Sequence, residues 1–166
     1  MKWAIAFSAS LLLSGGVACA EDLPAKCTLR VIHALNEPQP SPTSTPTPTP
    51  APTIDPRITR LRPYFEKAPF TAWRKFQLLD TKEFTLTNAS TQSFDLPNHK
   101  KASITYTDHM LRPDGKHRLR LKMGITHGEK QIMQTTFVLD EGGVVLEVGQ
   151  KYQNGILVLG ISCETH

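Results

Sequence analysis

From Arg74 to the C-terminus, apolar and polar residues alternate in short runs separated by turn-forming pairs. This is the period-two signature of antiparallel strands. Phe76 and Leu78 share a face, as do Phe84 and Leu86. Ser93 to Leu96 reads as a short strand stopped by Pro97-Asn98. Ala102, Ile104 and Tyr106 alternate with Ser103, Thr105 and Thr107. In the next run Leu119, Leu121, Met123 and Ile125 form one face and Arg118, Arg120 and Lys122 the other. Turns are predicted at Pro113-Asp114-Gly115, at His127-Gly128-Glu129-Lys130 and at Asp140-Glu141-Gly142-Gly143. Asn154-Gly155 is predicted as the tightest turn, because both residue types tolerate positive φ. Gly155 to Cys163 is apolar on both faces, as expected of a strand buried between layers.

The earlier part of the chain is less regular. Residues 27–35, CTLRVIHAL, form a strand pattern with Cys27, Leu29, Val31, His33 and Leu35 on one face. A Pro/Thr tract, EPQPSPTSTPTPTPAPT, follows at 37–53. Proline lacks the amide donor and clashes with helical neighbours, so this tract is predicted to be extended polyproline II. Because a strand precedes it, the tract is an excursion inside one domain, with the first strand returning to the body. Next comes one short helix, with Asp55 as its N-cap and Pro56 at its first position. Ile58, Leu61 and Phe65 fall at helical spacing, Arg57, Arg60 and Arg62 lie largely off that stripe, and Pro63 ends or kinks the helix. Phe70, Trp73 and Phe76 are assigned to the core; a sugar-stacking surface is the alternative.

The predicted fold is therefore mainly β: an antiparallel β-sandwich of about eight strands with one short helix. The predicted divisions are a signal peptide (1–20), an N-terminal strand (21–36), a Pro/Thr-rich linker (37–54) and a sandwich body (55–166).

Composition changes this picture mainly through the cysteines. Lys2, the apolar run Trp3 to Leu13 and the small residues Ala18-Cys19-Ala20 have the layout of a cleavable signal peptide, too short to span a bilayer. Cleavage after Ala20 would leave 146 of the 166 residues. The alternatives are an uncleaved anchor and lipid attachment at Cys19, although Gly16-Val17-Ala18 lacks the leucine-like residue expected upstream. Cleavage would also leave two of the three cysteines, Cys27 near the start and Cys163 near the end. In an oxidising compartment such a pair bonds. It can do so if the first and last strands are antiparallel neighbours or face each other across the core. No further segment approaches a membrane span. The formal charge of +4 falls to +3 without Lys2, too small a surplus to imply nucleic-acid binding.

Candidate chemistry is sparse. The sequence contains no GxSxG, P-loop or HExxH pattern and no cofactor signature. None of the six histidines has a tight metal-ligand spacing. A His/Met metal-binding reading would draw on His109, Met123, His127 and Met133, but the two methionines are expected to face the core. Asp108 continues the parity of Ile104 and Tyr106, so it is the one carboxylate that could be partly buried, although a strand-end turn residue is the expected reading. Asn88-Ala89-Ser90 fits the N-glycosylation pattern. The most specific surface feature is basic: Arg118, Arg120 and Lys122 on one side of one strand, with Lys100 and Lys101 just before the preceding strand. Such a face could dock an envelope protein or an anionic envelope polymer; the wet side of an ordinary antiparallel sheet is the alternative.

Several stretches together carry a resemblance. They are the RVIHAL opening, IDPRITRLRPYFEKAPFTAWRKFQLLD, the Leu96-Pro97 turn and the closing GGVVLEVGQKYQNGILVLGISC. In these the chain resembles a group of exported proteins of Gram-negative bacteria, of the type found in myxobacteria. The resemblance implies export to the periplasm or beyond and carries over no catalytic residue. The expectation is a non-enzymatic binding or assembly module of the cell envelope. A small secreted hydrolase and a periplasmic His/Met metal-binding protein are the alternatives.

Overall fold

The computed structural model describes residues 23–36 and 51–165. The signal peptide predicted at 1–20 and most of the Pro/Thr tract, 37–50, lie outside the described residues. Among the described residues there are nine strands: β1 (Ala25–Leu35), β2 (Thr53–Ile54), β3 (Lys75–Leu86), β4 (Thr91–Asp95), β5 (Lys101–Leu111), β6 (His117–His127), β7 (Lys130–Asp140), β8 (Val145–Tyr152) and β9 (Gly155–Thr165). They form a five-stranded sheet A, ordered β2-β3-β1-β9-β8, and a four-stranded sheet B, ordered β4-β5-β6-β7. All pairings are antiparallel except the short β2–β3 contact. The β-sandwich predicted from alternation is the observed architecture. The tract assigned to a linker ends earlier than predicted, because Thr53 and Ile54 pair with Lys75 and Phe76.

Both faces of sheet A carry apolar packing. One face packs on sheet B through Cys27, Leu29, Val31, Leu157, Leu159 and Ile161, which meet Ile104, Tyr106, Leu121 and Met123. The other face packs under a helical cap through Ile32, Ala34, Phe76, Leu78 and Val158, which meet Ile58, Leu61, Phe65 and Phe70. The central strands β1 and β9 therefore carry apolar residues at consecutive positions, the pattern of a strand with two dry faces.

The cap consists of a 3-10 turn (Pro56–Leu61), the single α-turn α1 (Arg62–Phe65) and a second 3-10 turn (Phe70–Ala72). Asp55 starts it as predicted, its Oδ1 accepting the Arg57 amide at 3.0 Å. Pro63 does not end the helix; it lies in the first turn of α1, where no amide donor is required. Asp55 also joins the cap to sheet A. Its Oδ2 accepts the Leu78 amide at 3.2 Å and its own amide donates to the Phe76 carbonyl at 2.9 Å. The Arg57 guanidinium spans from Asp55 to the Leu78 carbonyl.

β1 lies between β3 and β9, so Cys27 and Cys163 are opposed residues on adjacent strands. They form a disulfide with a Cα–Cα distance of 4.1 Å. Of the two placements open from sequence, the structure has the antiparallel neighbours. Glu141 ties the sheets together beside this bond. Its carboxylate accepts the His117 amide of β6 and the Thr165 amide of β9, each at 3.2 Å, and the Thr165 hydroxyl.

Register and turn placement refine three readings. Phe76 shares a face with Leu78, and Phe84 with Leu86, as read, but the two pairs lie on opposite faces. The β3 register slips at Leu79, between Asp80 opposite Val31 and Leu78 opposite Ile32. Phe76 and Leu78 therefore face the cap, whereas Phe84 and Leu86 face sheet B. A second slip, at Thr107, turns Asp108 outward to stand across from Arg120, so Asp108 is exposed rather than partly buried. The last hairpin turns at Gln153-Asn154, with positive φ at Gln153. Gly155 belongs to β9, where the need is space: a Cβ there would lie 2.1 Å from the Ala34 carbonyl oxygen.

Candidate functional site

The outer face of sheet B has no layer over it among the described residues. Lys101, Arg118, Arg120 and Lys122 all project from it, beside Ser103, Thr105 and Thr136. Lys100 does not join them; its Nζ donates to Gln150 Oε1 of β8 at 2.8 Å and so bridges the two sheets. Two cations of the face already have anions. Arg118 Nε bonds Asp140 at 2.6 Å, and Lys101 stands 3.6 Å from Asp95. Arg112 also approaches Asp140, at 3.2 Å. The hydrogen bond from Arg118, and then the charges of Arg118 and Arg112, hold the Asp140 carboxyl below the usual carboxylate range. Arg120 and Lys122 are left with no ion-pair partner among the described residues. The sequence-derived basic face is thus present but diluted.

A second site was not anticipated from sequence. The cap covers only half of the outer face of sheet A, and beside it opens a cleft of about 630 Å³. Its floor is Lys26, Thr28 and Arg30 of β1, Glu83 and Thr85 of β3, and Ser162 and Glu164 of β9. Arg60, Leu61 and Tyr64 line it from the cap, and Gly142 and Val144 from the β7–β8 connection. The volume is within the range of small-ligand sites, roughly 300–1,000 Å³. Arg30 is steadied by a 3.1 Å bond from its Nη1 to the Ser162 hydroxyl. Lys26, Arg60, Glu83 and Glu164 form no ion pair among the described residues. Three cations, two carboxylates, three hydroxyls and the rim ring of Tyr64 therefore face one open space. Such a set can hold an anionic group, accept hydrogen bonds from hydroxyl or amino groups, and offer a flat apolar surface.

Histidines are distributed rather than clustered. His33 is buried, and its Nε2 lies 3.2 Å from the Tyr152 carbonyl. A carbonyl only accepts, so Nε2 carries the proton. Burial lowers its pKa and the Tyr152 bond partly restores it. His109 and His117 have ring centroids 5.8 Å apart beside the β5–β6 hairpin turn. Met123 is fully buried in the core and Met133 packs against it, while His127 is exposed. Among the described residues no three His, Cys, Asp or Glu side chains gather in a metal-binding arrangement. No helix among them is long and apolar enough to cross a membrane. Asn88 of the glycosylation pattern lies in the exposed β3–β4 turn.

Compared with protein-family models, curated proteins and solved structures, the chain matches none of them at a significant level.

Proposed function

We propose that this chain is a non-enzymatic binding or assembly module of the bacterial cell envelope, exported and oxidised, which takes a segment of an anionic, hydroxyl-rich glycan in the sheet-A cleft. One observation supports this reading most: Lys26, Arg30 and Arg60 line one open cleft together with two carboxylates, three Ser/Thr hydroxyls and the 40% exposed ring of Tyr64, beside apolar Leu61 and Val144. Cations select for phosphate or carboxylate groups, carboxylates and hydroxyls satisfy sugar hydroxyls, and an aromatic rim stacks on a sugar face. The Cys27–Cys163 disulfide accords with an oxidising compartment.

A second reading has its own support. Among the described residues Arg120 and Lys122 have no counter-ion on the outer face of sheet B, a flat surface suited to an acidic protein partner. One experiment separates the two. Purified lipopolysaccharide is titrated into wild type, a Lys26→Glu/Arg60→Glu variant and an Arg120→Glu/Lys122→Glu variant, with melting curves to verify folding. The cleft reading expects at least tenfold weaker binding for the first variant and less than twofold change for the second. The reverse pattern moves the site to sheet B, and a wild type that binds no lipopolysaccharide at low salt overturns the glycan assignment.

A further inference from the structure

Both sheets end in edge strands, and three of the four are guarded against pairing. β2 has two residues and β4 has five. β8 carries Glu147 and Lys151 and is broken by a register slip after Val148. Short length, inward charge and bulges are the usual means of blunting an edge. β7 lacks most of this protection. It runs for eleven residues, KQIMQTTFVLD, with no charge between Lys130 and Asp140 and no proline. Its one irregularity lies near its start, around Ile132. Among the described residues nothing pairs with its outer edge.

The order of residues in β7 is self-complementary about Thr135. With a two-fold axis through that residue, antiparallel pairing sets Ile132 of one copy opposite Val138 of the second, Met133 opposite Phe137, and Gln134 opposite Thr136. Ile132 and Val138 are 37% and 44% exposed, two of the few large apolar side chains left at the surface. Met133 and Phe137 lie on the inner side, half-buried at the margin of the core between the sheets. Parity keeps each pair on one face, since Ile132 and Val138 point outward and Met133 and Phe137 inward. A shift by one residue would set inward side chains against outward ones. A shift by two would separate Ile132 from Val138 and Met133 from Phe137.

We propose that two copies of this chain join through β7, edge to edge and antiparallel, with Thr135 on the two-fold axis. Sheet B then continues as one eight-stranded sheet, and each copy completes the burial of the other's Met133 and Phe137. The main-chain bonds supply adhesion. The apolar pairs Ile132/Val138 and Met133/Phe137 fix the register. The interface is isologous, as closed two-fold dimers require.

The test uses purified full-length protein with its disulfide intact. Sedimentation velocity should show a dimer that Thr136→Lys, which sets lysine against Gln134 near the axis, weakens at least tenfold. Thr105→Lys, on the same outer face but two strands away, should leave the dimer unchanged. Thr135→Cys should cross-link to itself under oxidation. Gln134→Cys and Thr136→Cys should cross-link only when mixed. A wild type that remains monomeric at 100 µM overturns the proposal. So does a dimer in which Thr135→Cys fails to cross-link, or a monomer that instead captures an extended segment of another protein.

Discussion

Removing the Cys27–Cys163 bond is the perturbation whose size the structure fixes best. The bond joins residues 136 apart in sequence, so it closes nearly the whole domain into one loop. In the chain-entropy description, denaturing an uncrosslinked chain of that loop length gains about 17 cal/mol/K, equivalent to about 5 kcal/mol at 25 °C. Both sulfurs are buried, and the pair sits directly between the two central strands of sheet A. Native register there is also held by the remaining β1–β9 ladder and by Glu141. The double variant Cys27→Ala/Cys163→Ala should therefore keep the fold and lose about 4–5 kcal/mol in urea unfolding, most of it through the denatured state. The urea m-value should rise, since the freed chain exposes more surface when unfolded. A loss below about 1 kcal/mol with an unchanged m-value would refute the reasoning, because the cross-link would then not restrict the unfolded chain.

Four other outcomes are expected. Gly155→Ala should cost about 3 kcal/mol in chemical denaturation, because its Cβ would meet the Ala34 carbonyl oxygen at 2.1 Å and backbone cannot yield as a side-chain tip can; a change within about 0.5 kcal/mol would contradict that close approach. The Glu141 pKa is lowered, first by the Thr165 hydroxyl and then by the His117 amide. Its stabilisation is thus full above its unfolded value near 4.5 and lost as pH falls through the folded value, so the gap between wild type and Glu141→Gln in urea midpoints should close on acidification. The buried His33 also has a lowered pKa, so stability should fall as pH drops below 6.5, and His33→Phe should flatten that slope. Glu147 on β8 faces the intersheet side opposite Leu159, and desolvation raises its pKa. Its contribution is present below the unfolded value of 4.5 and lost as pH rises through the folded value, so Glu147→Gln should melt higher than wild type at pH 7 and lose that advantage at pH 4.

The fold was legible from sequence wherever period-two alternation runs unbroken. β6 shows its apolar face, Leu119 to Ile125, and its polar face, Arg118 to Lys122, as read. The doubly apolar β9 signals a strand between two layers, which it is. What the sequence hides is register slippage. Nothing in Leu79 or Thr107 marks it as an extra residue in its strand, since neither is a glycine and each fits the local pattern. One slip sets Phe76 and Leu78 on the opposite face from Phe84 and Leu86; the other takes Asp108 off the parity of Ile104 and Tyr106 and out to solvent. A bulge is decided by what the partner strand demands, so it is a property of a pair and is not written in one strand alone.

The cleft follows from the same logic, and its boundary is visible once the strands are aligned. The positions of β1 that face away from sheet B run Lys26, Thr28, Arg30 and then Ile32, Ala34. Read in the opposite direction, β9 runs Glu164, Ser162, Gly160 and then Val158, Ile156. β3 runs Thr85, Glu83, Thr81 and, past its slip, Leu78, Phe76. Each strand changes from polar to apolar, and register brings the three changes to one level: Arg30 lies opposite Gly160 and Thr81, Ile32 opposite Val158 and Leu78. That level is where the helical cap ends. A cap extending over Lys26 and Glu83 would have to desolvate charges without partners, whereas one ending short of Ile32 and Val158 would leave apolar surface in water. The polar half of sheet A is therefore open because its residues cannot be covered by an apolar cap, and the cleft is the step between the covered and uncovered halves.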